Sequence, residues 1–194
     1  MDTRNILVVY GPSGSGQDSV IEGVASRMPV ERVVTTTTRA MRPEETPGHP
    51  YWFVSKERFE DGIKSGSFVE WARTYNDQYY GVSREELERV AKSGKVGLWK
   101  VDWRGAKSIR ELFPEIPILF VTAPIESIRQ RLRSRDGHAD ESYFRDRMRY
   151  IEDLLSRPDL VYDYTIENRD GELERAVSEA ENIIRACLSR ADGR

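Results

Sequence analysis

The chain has 194 residues, 38% of them hydrophobic and 32% charged, a balance typical of one soluble α/β domain with an insertion. Its formal net charge of −3 excludes a global basic field, so neither nucleic acid nor a membrane is expected as a partner. The single cysteine, Cys187, excludes an intrachain disulfide, and we find no signal peptide and no apolar run of about 18 residues. These observations predict a cytoplasmic protein.

The start of the chain alternates between strand and helix patterns. Residues 5–10 form a short apolar run that predicts a buried strand, and a glycine-rich loop follows it. Residues 19–28 then place apolar side chains on one face of a helix. Residues 32–38 are rich in β-branched side chains and predict a second strand. This order of elements is typical of the beginning of an α/β fold.

The middle of the chain, residues 33–94, changes character and is interpreted as an antiparallel insertion. Its predicted elements are a shaped, proline-rich loop (39–53), two strands (51–54 and 67–74), a helix between them (56–64) and a helix opened by a capping-box pattern (83–93).

The strand and helix alternation resumes in the last part of the chain. The predicted elements there are strands (95–102, 116–122 and 163–167), helices (105–112, 125–135, 141–156 and 171–190) and a turn (136–140). The whole pattern predicts an α/β fold with a three-layer core around a parallel sheet. The core would comprise residues 1–32 and 95–194, and the insertion residues 33–94.

The loop after the first strand is half of a phosphate-binding motif. Residues 11–16 read Gly-Pro-Ser-Gly-Ser-Gly, the G-x-x-x-x-G part of a Walker A loop, which ordinarily continues with Lys and then Ser or Thr. This chain has Gln17 and Asp18 at those two positions. Because the three glycines remain, the backbone N–H groups of the loop can still form an anion-binding nest at the start of the helix.

Two interpretations of Asp18 stay open at this point. A carboxylate aimed at a triphosphate repels it unless a cation lies between them, and carboxylate oxygens are suitable ligands for Mg²⁺. A first-turn aspartate also stabilises the helix that it begins, as a cap and through the helix dipole.

A series of motifs identifies the chain far more specifically than the loop does. They are Arg39-x-x-Arg42, Glu45-x-x-Gly48-x-x-Tyr51-x-Phe53, FVEWA (68–72), YYG (79–81), VDWRGAK (101–107), RQRLRSR (129–135) and Asn168. In this order the sequence resembles the guanylate kinase family of nucleoside monophosphate kinases over essentially its whole length. The resemblance implies a P-loop fold with a helical lid at about 131–147, Mg²⁺ as cofactor, and transfer of a phosphoryl group from ATP to GMP.

The resemblance also implies roles for single residues. Arg39, Arg42, Tyr51 and Tyr80 would hold the phosphate of GMP, and Glu70 would accept from N1–H and the 2-amino group of guanine. The complete GMP-binding set is Thr35, Arg39, Arg42, Glu45, Tyr51, Glu70, Tyr80 and Asp102. The ATP-binding set is Gly11, Pro12, Ser13, Gly14, Ser15, Gly16, Gln17, Asp18, Ser19 and Asn168. Arg131, Arg135 and Arg147 would close over the transferring phosphate as catalytic residues.

Lys100 departs from the family pattern in a way that matches the altered loop. The family has an acidic residue two positions before Asp102, and this chain has a lysine there. Because side chains two apart on a strand share a face, Lys100 and Asp102 would both lie near the strand's C-terminal end. We hypothesise that Lys100 replaces the missing loop lysine, while Asp18 and Asp102 organise Mg²⁺. The alternative is a lysine that extends into solvent from a strand end.

Two other functions are considered beside a guanylate kinase. One is a catalytically impaired binding module of the same fold, for a nucleotide or a phosphopeptide. The other is a kinase for another phosphorylated acceptor, such as a ribose bisphosphate, since Val82 replaces a hydroxyl residue that contacts the base in the family. The expected partners are ATP and GMP, and the expected assembly is a monomer or a homodimer.

Overall fold

The computed structural model describes residues 2–73, 77–136 and 140–192. The elements up to residue 91 are β1 (Ile6–Tyr10), α1 (Gln17–Ala25), β2 (Val30–Arg32), β3 (Thr36–Thr37), β4 (Trp52–Phe53), α2 (Lys56–Lys64), β5 (Phe68–Arg73), β6 (Tyr79–Ser83) and α3 (Arg84–Ala91). The elements that follow are β7 (Val96–Lys100), α4 (Trp103–Leu112), β8 (Ile118–Thr122), α5 (Ile125–Arg135), α6 (Glu141–Leu155), β9 (Tyr164–Glu167) and α7 (Leu173–Asp192).

The predicted elements differ from the structure mainly around the insertion. The single strand predicted over 32–38 is wrong, because the chain leaves β2 and pairs again as β3 in a different sheet. Strand β6 was not predicted, since its short Tyr-Tyr-Gly run shows no alternation of polar and apolar side chains. Residue 74 of a predicted strand and residues 137–139 of a predicted turn lie outside the described residues.

The larger sheet has five parallel strands in the order β2-β7-β1-β8-β9. Strand β1 lies at its centre, and each of its five residues is buried. In its pairing with β7, Val9 lies opposite Lys100. Because all strands run the same way, their C-terminal ends meet at one edge of the sheet, where ligands bind in open α/β folds.

Two hydrophobic clusters cover the two faces of this sheet. Leu7 and Val9 of β1 belong to a cluster shared with α1 and α7, whereas Ile6, Val8 and Tyr10 belong to a cluster shared with α3 and α4. The alternation follows from the period of two along a strand. The core is therefore an α/β/α sandwich of three layers, as predicted.

The smaller sheet has the order β4-β3-β6-β5. Its β3–β6 and β5–β6 pairs are antiparallel, and its two-residue β3–β4 pair is parallel. Helix α2 packs on it through Phe59, whose ring stacks on Phe68 at 4.1 Å and on Tyr79 at 5.1 Å between centroids. Within the described residues, no helix combines the length and the apolar character that crossing a membrane requires.

Gly11 fixes the path by which the chain leaves β1. A Cβ atom on Gly11 would lie 1.9 Å from the backbone carbonyl oxygen of Val121 in β8, and a backbone atom in the middle of a sheet cannot move aside. We therefore expect Gly11→Ala to lower the free energy of unfolding in urea by about 2–3 kcal/mol.

Gly66 provides the matched control for this substitution. It has a positive φ of 68° but open space around its Cβ position, so Gly66→Ala should lower the free energy of unfolding by about 1 kcal/mol. Equal losses in the two variants would contradict the packing argument for Gly11.

Candidate active site

The glycine-rich loop joins the central strand to the first helix. Gly14 and Gly16 both have φ of 86°, and Gly16 is the N-cap of α1. No side chain of the described residues caps this helix, so its first N–H groups remain directed at the loop. Such a loop at a helix N-terminus is suited to bind phosphate oxygens.

Gln17, at the position of the Walker lysine, is turned into the loop. Its Nε2 donates to the carbonyl oxygens of Gly11 at 2.7 Å and Pro12 at 3.3 Å. The side chain is buried, and its Oε1 has no hydrogen-bond partner among the described residues. Gln17 therefore braces the backbone of the loop and brings no positive charge to it.

Asp18 is held by two cations that come from the ends of strands. Its Oδ2 accepts from Lys100 Nζ at 2.6 Å, and its Oδ1 accepts from Arg32 Nη2 at 2.9 Å. Burial acts to raise the pKa of Asp18, but the hydrogen bonds and charges of Lys100 and Arg32 outweigh it and lower that pKa. Asp18 thus lies in the first turn of α1 without serving as a side-chain cap, and Lys100 is paired at the loop.

Arg131 ties the loop to the last strand. Its guanidinium donates to Asp170 Oδ1 at 2.6 Å, to the carbonyl of Asn168 at 2.9 Å, and to the carbonyls of Gly14 and Ser15 at 3.3 Å each. The amide of Asn168 is buried and donates to the carbonyl of Ser15 at 2.9 Å. Both predicted residues therefore contact the loop backbone directly.

Arg135 and Arg147 converge on the same loop from two helices. Their Nη2 atoms lie 3.4 Å and 2.9 Å from Ser13 Oγ. Asp136 pairs with Arg135 at 2.8 Å, and Arg147 also donates to the Tyr143 hydroxyl. The structure therefore brings the three predicted lid arginines to residues 13–15.

The predicted phosphate clamp of the acceptor is organised by Glu45. Its Oε1 accepts from Arg39 Nη2 at 2.6 Å and its Oε2 from the backbone N–H of Arg42 at 2.8 Å. The Arg39 guanidinium lies 5.4 Å from the ring centroid of Tyr51 and 5.5 Å from that of Phe53. Glu45 thus holds the Arg39 guanidinium and the backbone at Arg42, and the hydrogen bond from Arg39 lowers the pKa of its carboxyl.

Tyr51 and Tyr80, the other two residues predicted to hold the acceptor phosphate, pack against each other. Their ring centroids are 5.7 Å apart in an edge-to-face arrangement. Burial raises the pKa of Tyr51, and the nearby Tyr80 and Asp18 raise it further. The charge of Arg39, which lies 5.4 Å from the ring centroid of Tyr51, opposes this rise in pKa.

Glu70 and Asp102 are two acidic residues that are close enough to interact electrostatically. Burial raises the pKa of Glu70 to about 7, and the charge of Asp102 contributes to the shift. Asp102 also caps α4, because its Oδ1 accepts from the backbone N–H of Gly105 at 2.8 Å. Val82 lies opposite Glu70 in the β5–β6 register and is fully buried, and Thr35 is half-buried between β2 and β3.

The acidic residues fit a Mg²⁺ ion that is bound together with a nucleotide. Among the described residues, no three His, Cys, Asp or Glu side chains group as a metal cage. Mg²⁺ commonly binds through one or two carboxylates plus water and substrate phosphates, and so it does not require such a cage. Asp18, in the first turn of α1, and Asp102, the N-cap of α4, are the two carboxylates predicted to hold the ion. In this structure both oxygens of Asp18 accept from Lys100 and Arg32.

Sequence reasoning missed the partners that hold the site together. Arg32 pairs with Asp18, Asp170 holds Arg131, and Asp136 pairs with Arg135. One signal was present for Arg32, because a carboxylate beside a phosphate loop requires compensating positive charge. The strand order that brings β2 to this edge was not readable from spacing alone.

The fold and the site together define a class of protein. A parallel α/β/α core carries a glycine-rich loop between its central strand and first helix, with arginines converging on that loop. This is the arrangement of a P-loop nucleotide-binding protein.

Comparison with known proteins gives the family. The sequence profile described as Guanylate kinase matches residues 3–187, and the chain belongs to the guanylate kinase family. A guanylate kinase of Symbiobacterium thermophilum is 38% identical over 187 residues, covering 95% of this chain and 86% of that protein. A guanylate kinase of Salinibacter ruber is 38% identical over 192 residues, covering 97% of this chain and 100% of that protein.

A solved structure supports the same assignment. The crystal structure of guanylate kinase from Anaplasma phagocytophilum aligns with a TM-score of 0.68 at 27% identity, covering 93% of this chain and 85% of that one. The resemblance indicated by the motifs is therefore confirmed, together with the fold.

Glu70 should make the stability of the protein depend on pH. Between its ordinary pKa of 4.5 and the folded value of about 7, the unfolded chain ionises Glu70 while the folded chain keeps the proton, so stability falls as pH rises. Glu70→Gln removes this loss. From about pH 5 to about pH 8 we expect the variant to gain about 2 kcal/mol in free energy of unfolding relative to the wild type.

The measurement is urea unfolding of both proteins at the two pH values. Glu85→Gln, at an exposed glutamate of α3, is the control and should show no such gain. A difference between Glu70→Gln and the wild type that does not change with pH would contradict the raised pKa.

Proposed function

We propose that this protein transfers the γ-phosphoryl group of ATP to GMP, giving ADP and GDP. The observation that carries this proposal is that three arginines of α5 and α6 contact residues 13–15 of the glycine-rich loop. In the insertion, Glu45 accepts from the Arg39 guanidinium and from the backbone N–H of Arg42. Full-length similarity to proteins named guanylate kinase supports the same reaction. It does not favour a binding module or a kinase of another acceptor.

The acceptor side would work through charge and through base recognition. Arg39 and Arg42 would bind the phosphate of GMP, with Tyr51 and Tyr80 donating their hydroxyls. Glu70 would accept from N1–H and the 2-amino group of guanine in its ionised form. Because its pKa is about 7, guanine binding would release a proton at lower pH. Thr35 and Asp102 would lie at the edge of this base site.

The donor side would bind ATP through the loop and stabilise the transition state through the arginines. The nest of N–H groups at residues 11–19 would hold the phosphates, and Asn168 would lie near the adenine. Arg131, Arg135 and Arg147 would stabilise charge on the transferring phosphoryl group. An oxygen of the GMP phosphate attacks the γ-phosphorus of ATP, while the bond between that phosphorus and the bridging oxygen of the leaving ADP breaks. Because the GMP phosphate is already a nucleophile, no general base is required.

Mg²⁺ would neutralise the phosphates and orient them, and Asp18 and Asp102 are the carboxylates that would hold it, directly or through water.

We further propose that residues 1–32 and 95–194 act as the nucleotide-binding core and 33–94 as the GMP-binding insertion. The lid at about 131–147 would close with the insertion to exclude water and prevent hydrolysis of ATP. The cytoplasmic location and the assembly state stay predictions.

The test is ADP formation by the purified protein with Mg-ATP and one of GMP, AMP, CMP or UMP. We expect turnover with GMP and little with the others. Glu70→Gln should raise KM for GMP by about 10- to 100-fold, because a charged acceptor of two hydrogen bonds is lost.

Glu85→Gln again serves as the control and should keep the KM for GMP of the wild type. Absence of GMP-dependent turnover, or equal turnover with all four monophosphates, would refute the proposed function.

A further inference from the structure

The phosphate loop of this chain lacks its own cation. A Walker A lysine supplies one positive charge to the phosphates, and Gln17 at that position donates its amide to the loop's own carbonyl groups. A triphosphate in this loop would therefore need a cation that arrives from another element of the fold.

Strand order brings two such cations to the start of α1. β7 ends at Lys100 and β2 ends at Arg32. These two strands are paired and parallel, so their C-terminal ends lie at the same edge of the sheet as the loop. Lys100 also lies opposite Val9, two residues before the loop begins. Both cations contact the carboxylate of Asp18, at 2.6 Å and 2.9 Å.

The charges of this cluster add up to the charge that the loop lacks. Lys100 and Arg32 are cations and Asp18 is an anion, so the three side chains together carry one net positive charge. The cluster thereby gives the first turn of α1 the charge of a Walker lysine, although none of its charges comes from position 17. It also removes the repulsion between Asp18 and a phosphate.

We propose that Lys100 is the phosphate-binding cation of this site and that Asp18 is a positioning residue that holds it at the loop. The inference rests on the proposed phosphoryl transfer. An ammonium has three N–H donors, and the bond to Asp18 uses one, which leaves two for phosphate oxygens. A lysine on a strand end is otherwise flexible, so this ion pair removes conformational entropy before the nucleotide binds.

The three lid arginines contact other parts of the loop than Lys100 does. Arg131 is engaged by Asp170 and by loop carbonyls, and Arg135 and Arg147 meet at Ser13. These contacts are made by α5 and α6, whereas Lys100 and Asp18 meet at the junction of β7 and α1. Lys100 and Arg32 are therefore the cations placed beside Asp18, which stands at the position of the magnesium-binding hydroxyl, and Lys100 makes the shorter contact.

The first experiment compares Lys100→Met with Lys95→Met. Lys95 precedes the same strand at its opposite end and forms a similar ion pair with Glu31 at 2.8 Å, so it is a matched control. The readouts are kcat for ADP formation and the dissociation constant of ADP measured by calorimetry without Mg²⁺. Lys100→Met should lower kcat by about 100-fold or more and weaken ADP binding by about 10-fold, while Lys95→Met changes neither.

A kcat for Lys100→Met within about threefold of the wild type, or an ADP affinity equal to that of Lys95→Met, would overturn the inference. The ADP affinity tests the role of Lys100 even if the protein turned over no acceptor. Turnover of GMP by the wild type tests the proposed function. The two failures are therefore distinguishable.

The second experiment moves the charge back to the loop. Gln17→Lys and Asp18→Ser, added to Lys100→Met, rebuild the ordinary Walker pair and should recover at least about 10-fold of the lost kcat. No recovery in a triple variant with the wild-type far-UV circular dichroism spectrum would argue that Lys100 does not do the work of the loop lysine.

The positioning role of Asp18 has its own test. Asp18→Asn keeps the lysine but loses the ion pair, and it should lower kcat by about 10-fold with little change in KM for GMP. Asp18→Glu restores the charge and should recover part of the loss. Equal kcat values for these two variants would overturn the role of Asp18.

Discussion

The pairing of β1 between β7 and β8 is the constraint on which the rest of the structure depends. This strand is buried on both faces, and the carbonyl oxygen of Val121 in β8 leaves no room for a side chain on Gly11. The loop must therefore turn directly over the edge of the sheet. Groups at the ends of other strands of the sheet contact the loop or the first turn of α1 there: Lys100 from β7, Arg32 from β2 and Asn168 after β9.

Opposite charges at this edge are paired before any nucleotide binds. Asp18 neutralises part of the charge of Lys100 and Arg32, Asp170 does so for Arg131, and Glu45 holds Arg39. Clustered cations repel one another, so these carboxylates allow the site to remain folded while it stays suited to phosphate. In the proposed function these carboxylates would therefore belong to the phosphate site, although their negative charge alone would repel a phosphate.

At the proposed acceptor side, the main feature is a partly buried carboxyl group, that of Glu70, whereas the proposed donor side is dominated by ion pairs. Burial and the nearby charge of Asp102 raise the pKa of Glu70 to about 7, and such perturbed carboxyl groups are typical of functional sites. A base edge with two N–H donors would satisfy the Glu70 carboxylate. The hydroxyl that the family places at Val82 is absent, and the fully buried Val82 packs in the hydrophobic core. In the proposed reaction, recognition of guanine would therefore depend more heavily on Glu70.

The sequence by itself determined the family, the glycine-rich loop and most helices and strands, because these depend on local spacing, periodicity and glycine positions. From the residues at positions 17, 18 and 100 it also led to the hypothesis that Lys100 replaces the missing loop lysine. Only the tertiary structure showed that the 32–38 segment divides between two sheets and that Gln17 turns into the loop. It also showed that Arg32 pairs with Asp18 and that Glu70 is partly desolvated. Those outcomes depend on strand order and burial, which are set by contacts between residues distant in the chain, and no short pattern encodes them.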